Sequence, residues 1–222
     1  MRVLVSGGAS GLGAAIVSAV ASSGGKPYVL DVSPSSYDGV QVDVGDTRAT
    51  EAAVRSIAER ADGLDAVVTA AGVDHPGALE EVPGDRWDKV VAVDLLGTAA
   101  VVRAAMPYLL ESRGHVVTVA STLGLRALPH ATAYCAAKFG VVGFTRALAA
   151  ETAGRIGVTL LVPGGMRTAF FDGRDEQYKP GADAQLNDPA NVAAAVMFAL
   201  NQPAGCTMRE MVVAPDTEPS WP

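Results

Sequence analysis

The chain has only two cysteines and three histidines in 222 residues. Cys135 and Cys206 cannot build a disulfide framework, and neither they nor the histidines fall in a zinc-ligand spacing, so no metal is expected. Reduced thiols of this kind fit a cytoplasmic protein. Aromatic residues are scarce at 5%, and 17 basic residues face 24 acidic ones, for a formal net charge of -7. A base-stacking platform needs aromatics and a phosphate-neutralising face needs cations, so a nucleic-acid partner is not expected. Long apolar runs are missing as well. The N-terminal run is too short for a secretory signal. Residues 189–208 carry no charge, but Asn191, Asn201, Gln202, Pro203 and Gly205 interrupt them, which reads as a buried helix and a turn rather than a membrane span. The expectation is a soluble cytoplasmic protein with no membrane partner.

What the chain does have is small apolar side chains and glycine: 49% hydrophobic residues, 18% charged and 24 glycines. The patterning predicts strands over residues 2–6, 26–31, 39–44, 66–69, 115–120, 158–162 and 210–213. Helices are predicted over 12–23, 47–60, 87–111, 133–153 and 189–200, the second of them capped by Thr47. The strands read as unbroken apolar runs, as in parallel sheets covered on both faces. Alternating strands and helices with no composition break predict one α/β domain over residues 1–222, a doubly wound, mostly parallel sheet of about seven strands with helices on both faces.

The first strand runs into Ser6-Gly7-Gly8-Ala9-Ser10-Gly11-Leu12-Gly13, which opens a helix. Glycines at such a junction let the chain turn tightly and let a pyrophosphate approach the helix N-terminus. A bare tight turn would use the same residues, and the spacing is not G-x-G-x-x-G, but the strand-turn-helix setting favours phosphate binding. Asp31 ends the second strand, 18 residues past Gly13. Its carboxylate can accept hydrogen bonds from a ribose diol and would repel a 2′-phosphate. Neither Val32, Ser33 nor Ser10 offers a compensating cation, so NAD(H) is favoured over NADP(H).

Tyr134 and Lys138 are four apart and share a helix face. A fixed ammonium beside a phenol favours the phenolate, which lets the pair exchange a proton. Ser121, 13 residues upstream, ends the fifth strand, where its hydroxyl can hold a carbonyl or alkoxide oxygen. Taken singly, Tyr-x-x-x-Lys is a common chance pair.

As a set these residues resemble the short-chain dehydrogenase/reductase family, in its single-domain branch. The glycine turn (Gly7, Ser10, Gly11, Leu12, Gly13) is similar to T-G-x-x-x-G-x-G with Ser6 for Thr. Asp43-Val44 resembles the pair that lies against the adenine, and Ala71-Gly72 the end of N-N-A-G. Pro163-Gly164-Gly165-Met166-Arg167-Thr168 resembles P-G-x-x-x-T, which contacts the nicotinamide end.

The resemblance implies a Rossmann-type sheet and hydride transfer between NAD(H) and a secondary alcohol or ketone. Tyr134 would be the general acid/base, Lys138 would lower its pKa and bind the nicotinamide ribose, and Ser121 would orient the substrate oxygen. The four-residue gap disfavours the enoyl-reductase variant. Residues 169–190 would form the substrate loop, with Phe170, Phe171 and Tyr178 as lid or core, and helices 87–111 and 133–153 would pair in a homodimer or homotetramer.

Two departures stand out. Asp94 replaces the usual Asn, whose carbonyl anchors a water linking the lysine to solvent, and Thr69-Ala70 replaces the two Asn of N-N-A-G. Asp94 leaves open a catalytically weak dinucleotide-binding sensor or scaffold; an NADPH-dependent carbonyl reductase is the other alternative. The substrate itself is not legible. Arg167 and Arg174 leave room for an anion, while His75, His130 and Cys135 read as loop and packing residues.

Overall fold

The structure is a computed structural model that describes residues 1–221. Strands β1 (Arg2–Ser6), β2 (Lys26–Asp31), β3 (Gly39–Gln41), β4 (Ala66–Thr69), β5 (His115–Val119), β6 (Gly157–Pro163) and β7 (Glu210–Val213) form one sheet. Their order is β3-β2-β1-β4-β5-β6-β7, and every neighbouring pair is parallel. The helices are α1 (Gly11–Ser22), α2 (Thr47–Ala61), α3 (Gly84–Val91), α4 (Thr98–Ser112), α5 (Thr132–Glu151) and α6 (Pro189–Leu200).

Alternation along the strands sorts the core into two layers. Leu4, Tyr28, Leu30, Val67 and Val116 face one side, where Val54 and Ile57 of α2, Val101 and Leu109 of α4 and Leu148 of α5 cover them. Val3, Val5, Val29, Val68 and Val117 face the other, beneath Ile16, Val17 and Val20 of α1 and Val192 and Val196 of α6. Each fully buried side chain of this size contributes roughly 1.5–3 kcal/mol, so the double cover explains why the strands are apolar throughout. The expected doubly wound parallel architecture is what forms.

Three local expectations need correction. The third strand ends at Gln41 rather than at residue 44. Val42 still donates to the Asp31 carbonyl (2.8 Å), but Asp43 then turns the chain, accepting from Gly45 N (2.9 Å) on its side chain and from Asp46 N (2.9 Å) on its carbonyl. The cap of α2 is Asp46, not Thr47; its Oδ1 accepts from Arg48 N (3.1 Å) and Ala49 N (3.0 Å). The third predicted helix begins earlier and is a continuous rod, Gly84–Ser112, with a π-helical segment at Ala92–Gly97 between α3 and α4. That rod is long and apolar enough to cross a membrane, but 56% of its apolar stretch is buried inside the fold, as in a core helix. The uncharged stretch at 189–208 yields the 12-residue α6, about 18 Å long, short of a ~30 Å hydrocarbon layer.

The chain runs outward from β1 to β3, then returns to β4 on the far side of β1. Because all strands point the same way, their carboxyl ends collect along one edge. The reversal between β1 and β4 opens a crevice there, where open α/β sheets bind ligands.

At the opposite edge, His115 starts β5 with Nε2 2.7 Å from Thr159 Oγ1, and burial lowers its pKa from 6.5 to about 4. The unfolded chain therefore takes up a proton near pH 6.5 that the native state refuses until about pH 4. Stability should fall by up to about 2–3 kcal/mol as the pH drops through that window. Urea midpoints measured from pH 7 to 4 should show the decline, and His115→Gln should flatten it.

Candidate active site

The crevice is a cleft of about 810 Å³ that runs from Asp31 and Asp43, past the glycine turn, to Ser121, Tyr134 and Arg174. This is the size range of small-molecule and cofactor pockets. At its near end the glycines are required by contact. A side chain on Gly13 would overlap the Gly7 carbonyl, one on Gly7 would meet the Ala71 backbone at 2.7 Å, and Gly7 and Gly11 have φ of +72° and +51°. The N-terminus of α1 receives no side-chain cap from Ser10, whereas α2 and α6 are capped by Asp46 and Asp188. Free N–H groups and a glycine cradle at a helix start suit a pyrophosphate. Leu12 is buried under the turn, and Thr168 leans over it, its Cβ 3.5 Å from the position a Gly11 side chain would take.

Asp31 is fixed by two backbone donors, Ala9 N on Oδ2 and Ser33 N on Oδ1, both at 2.9 Å. Each oxygen keeps a further acceptor direction. Asp43 and Val44 line the same end, Asp43 paired with Lys89, which holds its carboxyl below the usual range. Ala71 and Gly72 form the floor; Ala71 N donates to Ser6 Oγ (3.3 Å) and Ala70 N to Ser6 O (3.1 Å). The backbone path thus survives the Thr69-Ala70 departure, while Thr69 Oγ1 is buried without a partner.

At the far end Lys138 is buried, its Nζ 3.1 Å from the Val119 carbonyl, 3.3 Å from Asp94 Oδ2 and 5.4 Å from the Tyr134 ring centroid. Asp94, fully buried in the π-helical segment, accepts from Val73 N (2.8 Å) on Oδ1, and its carbonyl accepts from Thr98 Oγ1 (2.8 Å). The carboxylate that replaces the expected Asn therefore meets the lysine directly. Burial pushes the Asp94 carboxyl up, against the pull of Lys138. For Lys138, burial works downward, but Asp94 and Tyr134 together hold it above its ordinary value.

Tyr134 is partly reached from the cleft. Its phenol is raised, first by burial and then by Asp94 and Asp74, while Lys138 and a hydrogen bond with Ser121 pull it down. The lysine acts in the expected direction but does not prevail in this arrangement. Ser121 Oγ also accepts from Leu123 N (3.1 Å), which fixes it at the end of β5.

These groups occupy one edge of one sheet. The sequence profile of the family described as short chain dehydrogenase matches residues 1–179. The chain belongs to the short-chain dehydrogenase family. It is 36% identical to D-threitol dehydrogenase of Mycolicibacterium smegmatis over 68% of this chain and 64% of that protein. It is 31% identical to glycine betaine reductase of Emericella nidulans over 97% of this chain, but spans only 19% of that protein's length. It is also 31% identical to 2,5-dichloro-2,5-cyclohexadiene-1,4-diol dehydrogenase of Sphingobium indicum, over 88% and 86% of the two chains. An alcohol dehydrogenase from Thermococcus sibiricus, solved with 5-hydroxy-NADP, superposes with a TM-score of 0.87 at 21% identity over 96% and 95% of the chains, a likeness of fold. A short-chain dehydrogenase fold of this kind binds a nicotinamide dinucleotide, which the capless α1 and its glycine cradle fit.

The segment that follows β6 borders the far end of the cleft. Phe170 and Phe171 line it, Phe170 with its ring 5.7 Å from that of Tyr134. Tyr178 sits outside, its hydroxyl 3.2 Å from Nδ1 of His130. His75 and Arg167 are exposed and do not line the cleft, and Cys135 is buried in packing. Pro163, Gly164 and Met166 line the cleft as well.

Three residues of the cleft had no signal in the spacing: Asp74, Glu218 and Ser220. Glu218 reaches back from the C-terminal segment to accept from Gly165 N (2.7 Å), and Ser220 Oγ donates to Thr122 Oγ1 (2.7 Å), so that segment borders the pocket. Asp74, whose partner is Arg174, lies a hundred positions from it in sequence.

Gly13→Ala should open the turn against the Gly7 carbonyl and weaken NADH binding by about tenfold or more, with a loss of a few kcal/mol in stability. Fluorescence titration with NADH and thermal melting measure the two effects.

Proposed function

We propose that this short-chain dehydrogenase is an NAD(H)-dependent oxidoreductase that interconverts a secondary alcohol and its ketone. The observation that carries this reading is the convergence of Ser121, Tyr134 and Lys138 in the same cleft that begins at the glycine turn. The dehydrogenases of a sugar alcohol and of a cyclic diol among its relatives support alcohol or ketone chemistry. For NAD(H) over NADP(H), the support is Asp31, oriented by Ala9 N and Ser33 N at the pocket end where a 2′-phosphate would have to lie.

The nicotinamide, when bound, accepts or returns the hydride of the carbinol carbon. The residues of the chain manage the oxygen and its proton. In oxidation the Tyr134 phenolate takes the hydroxyl proton; in reduction the phenol returns it. Ser121 donates to the same oxygen and holds it in register as negative charge develops. Lys138 keeps a positive charge beneath the phenol and favours the phenolate. Asp94, by pairing with Lys138, tempers that charge and acts as a positioning residue rather than a proton carrier.

Tyr134→Phe should lower kcat by about 10²–10⁴-fold on any substrate that is turned over, since a positioned acid/base contributes that much. Unchanged turnover would defeat the mechanism. NADH should bind at least about tenfold tighter than NADPH in parallel quenching titrations, because Asp31 opposes the extra phosphate. The reverse order would favour the NADPH-dependent reading instead.

The electrostatics add a pH signature. Oxidation needs the phenolate, so its rate should rise with pH through the phenol pKa, which burial and Asp94 hold high. Asp94→Asn removes a raising charge. The rising limb of kcat/KM against pH should therefore move to lower pH in that variant, while a limb that stays in place would mean that Asp94 does not act on Tyr134.

A further inference from the structure

A second charge pair stands in the cleft beside the reacting end. Arg174 and Asp74 both line the pocket, with Nη2 and Oδ2 at 3.0 Å, and their side chains are only 11% and 6% exposed. The guanidinium lies against two rings, its Cζ 4.7 Å from the Phe170 centroid and 4.8 Å from that of Phe171. Phe170 is also the ring packed at 5.7 Å on Tyr134, so one aromatic ring separates the guanidinium from the phenol.

The hydrogen bonding of this pair is unfinished. Nε and Nη2 of Arg174 are buried and make no hydrogen bond in the protein; the 3.0 Å approach of Nη2 to Asp74 is an ion pair at a poor angle. These two nitrogens form the side-on fork of the guanidinium, whose position is held by the two rings. Burial lowers the pKa of Arg174 and raises that of Asp74, each opposed by the other's charge. Buried donors without acceptors are costly, and a ligand group that completes them gains affinity and selectivity.

The complement of such a pair is a group that is both acceptor and donor. A hydroxyl accepts from the Arg174 fork and donates to Asp74. A carboxylate offers acceptors alone and would bring a second negative charge against Asp74. The buried pair beneath the cleft, Asp94 with Lys138, is also charge-balanced, so a neutral polar ligand disturbs neither.

We propose that Asp74 and Arg174 form a hydroxyl-recognition subsite, so that the preferred substrate is a vicinal diol or polyol, oxidised at the carbon beside the hydroxyl this pair holds. The assignment rests on the alcohol–ketone reading above and names its substrate class. Asp74 and Arg174 hold the hydroxyl that does not react; Tyr134 handles the one that does. The balance is that of the parent reaction: the carbinol hydride leaves to NAD+, the hydroxyl proton to Tyr134, and a hydroxyketone remains.

The test compares cyclohexanol, cis-1,2-cyclohexanediol and a 2-hydroxy acid as substrates with NAD+, alongside thermal-shift titrations with the same three compounds in the presence of NADH. Wild-type protein should show kcat/KM for the diol about 10- to 100-fold above that for cyclohexanol, the worth of a hydrogen bond to a charged group. Asp74→Asn and Arg174→Met should each collapse that ratio toward one, and with it the diol's excess thermal shift; two separate variants guard against one that fails to fold. Equal rates on diol and cyclohexanol, or a preference for the hydroxy acid, would overturn the proposal. If nothing is turned over but the diol alone stabilises the wild-type protein, the subsite stands and the oxidoreductase reading falls. If neither turnover nor shift favours the diol, the subsite is wrong.

Discussion

The constraint on which the structure depends is that all seven strands run in one direction. A parallel sheet must return the chain over its faces between strands, so both faces are roofed by helices and the strands become apolar throughout. It also places every strand's carboxyl end on the same edge. Ser6, Asp31, Thr69, Val119 and Pro163 all end strands there, and the loops that follow them supply Ser10, Ser33, Asp74, Ser121 and Arg174 to the cleft, which α5 completes with Tyr134 and Lys138. Chemistry drawn from positions between 7 and 220 meets in one place because of strand direction, not because of nearness in sequence.

Within that cleft, burial sets the terms of the electrostatics. Lys138 and Asp94 are both out of water, and neither would be tolerated charged without the other. Their pairing leaves the phenol of Tyr134 under opposing influences, Lys138 and Ser121 pulling its pKa down, burial and two carboxylates pushing it up. The π-helical segment is what delivers Asp94: an extra residue in that turn aims the side chain inward beneath Gly72, where a Cβ would stand 3.3 Å from its Oδ2. Asp94, Gly72 and Lys138 are thus mutually dependent.

The order of strands and helices was legible because periodicity and capping are local. β1, β2, β4 and β7 match the predicted spans residue for residue, and α6 begins behind Asp188 as its cap chemistry implies. The misses are local too. Thr47 and Asp46 are both good caps, and the choice between them depended on which side chain could reach two free N–H groups. The residues Val42 to Val44 look like a strand, but Asp43 accepts from Gly45 N and Asp46 N itself and turns the chain away.

By itself, then, the sequence determined the alternating α/β order, the glycine turn, Asp31 at a strand end and the Ser121, Tyr134, Lys138 spacing, since each is a matter of residue type within one element or motif. It also foretold a shortage of cysteine, aromatic and basic residues with which to build other kinds of site. The tertiary structure alone decided that Asp94 meets Lys138 directly, that Glu218 returns to Gly165, and that Asp74 finds Arg174 against two phenylalanine rings. Those contacts join segments far apart in the chain, and their strength comes from exclusion of water, a property no residue has until the whole fold encloses it.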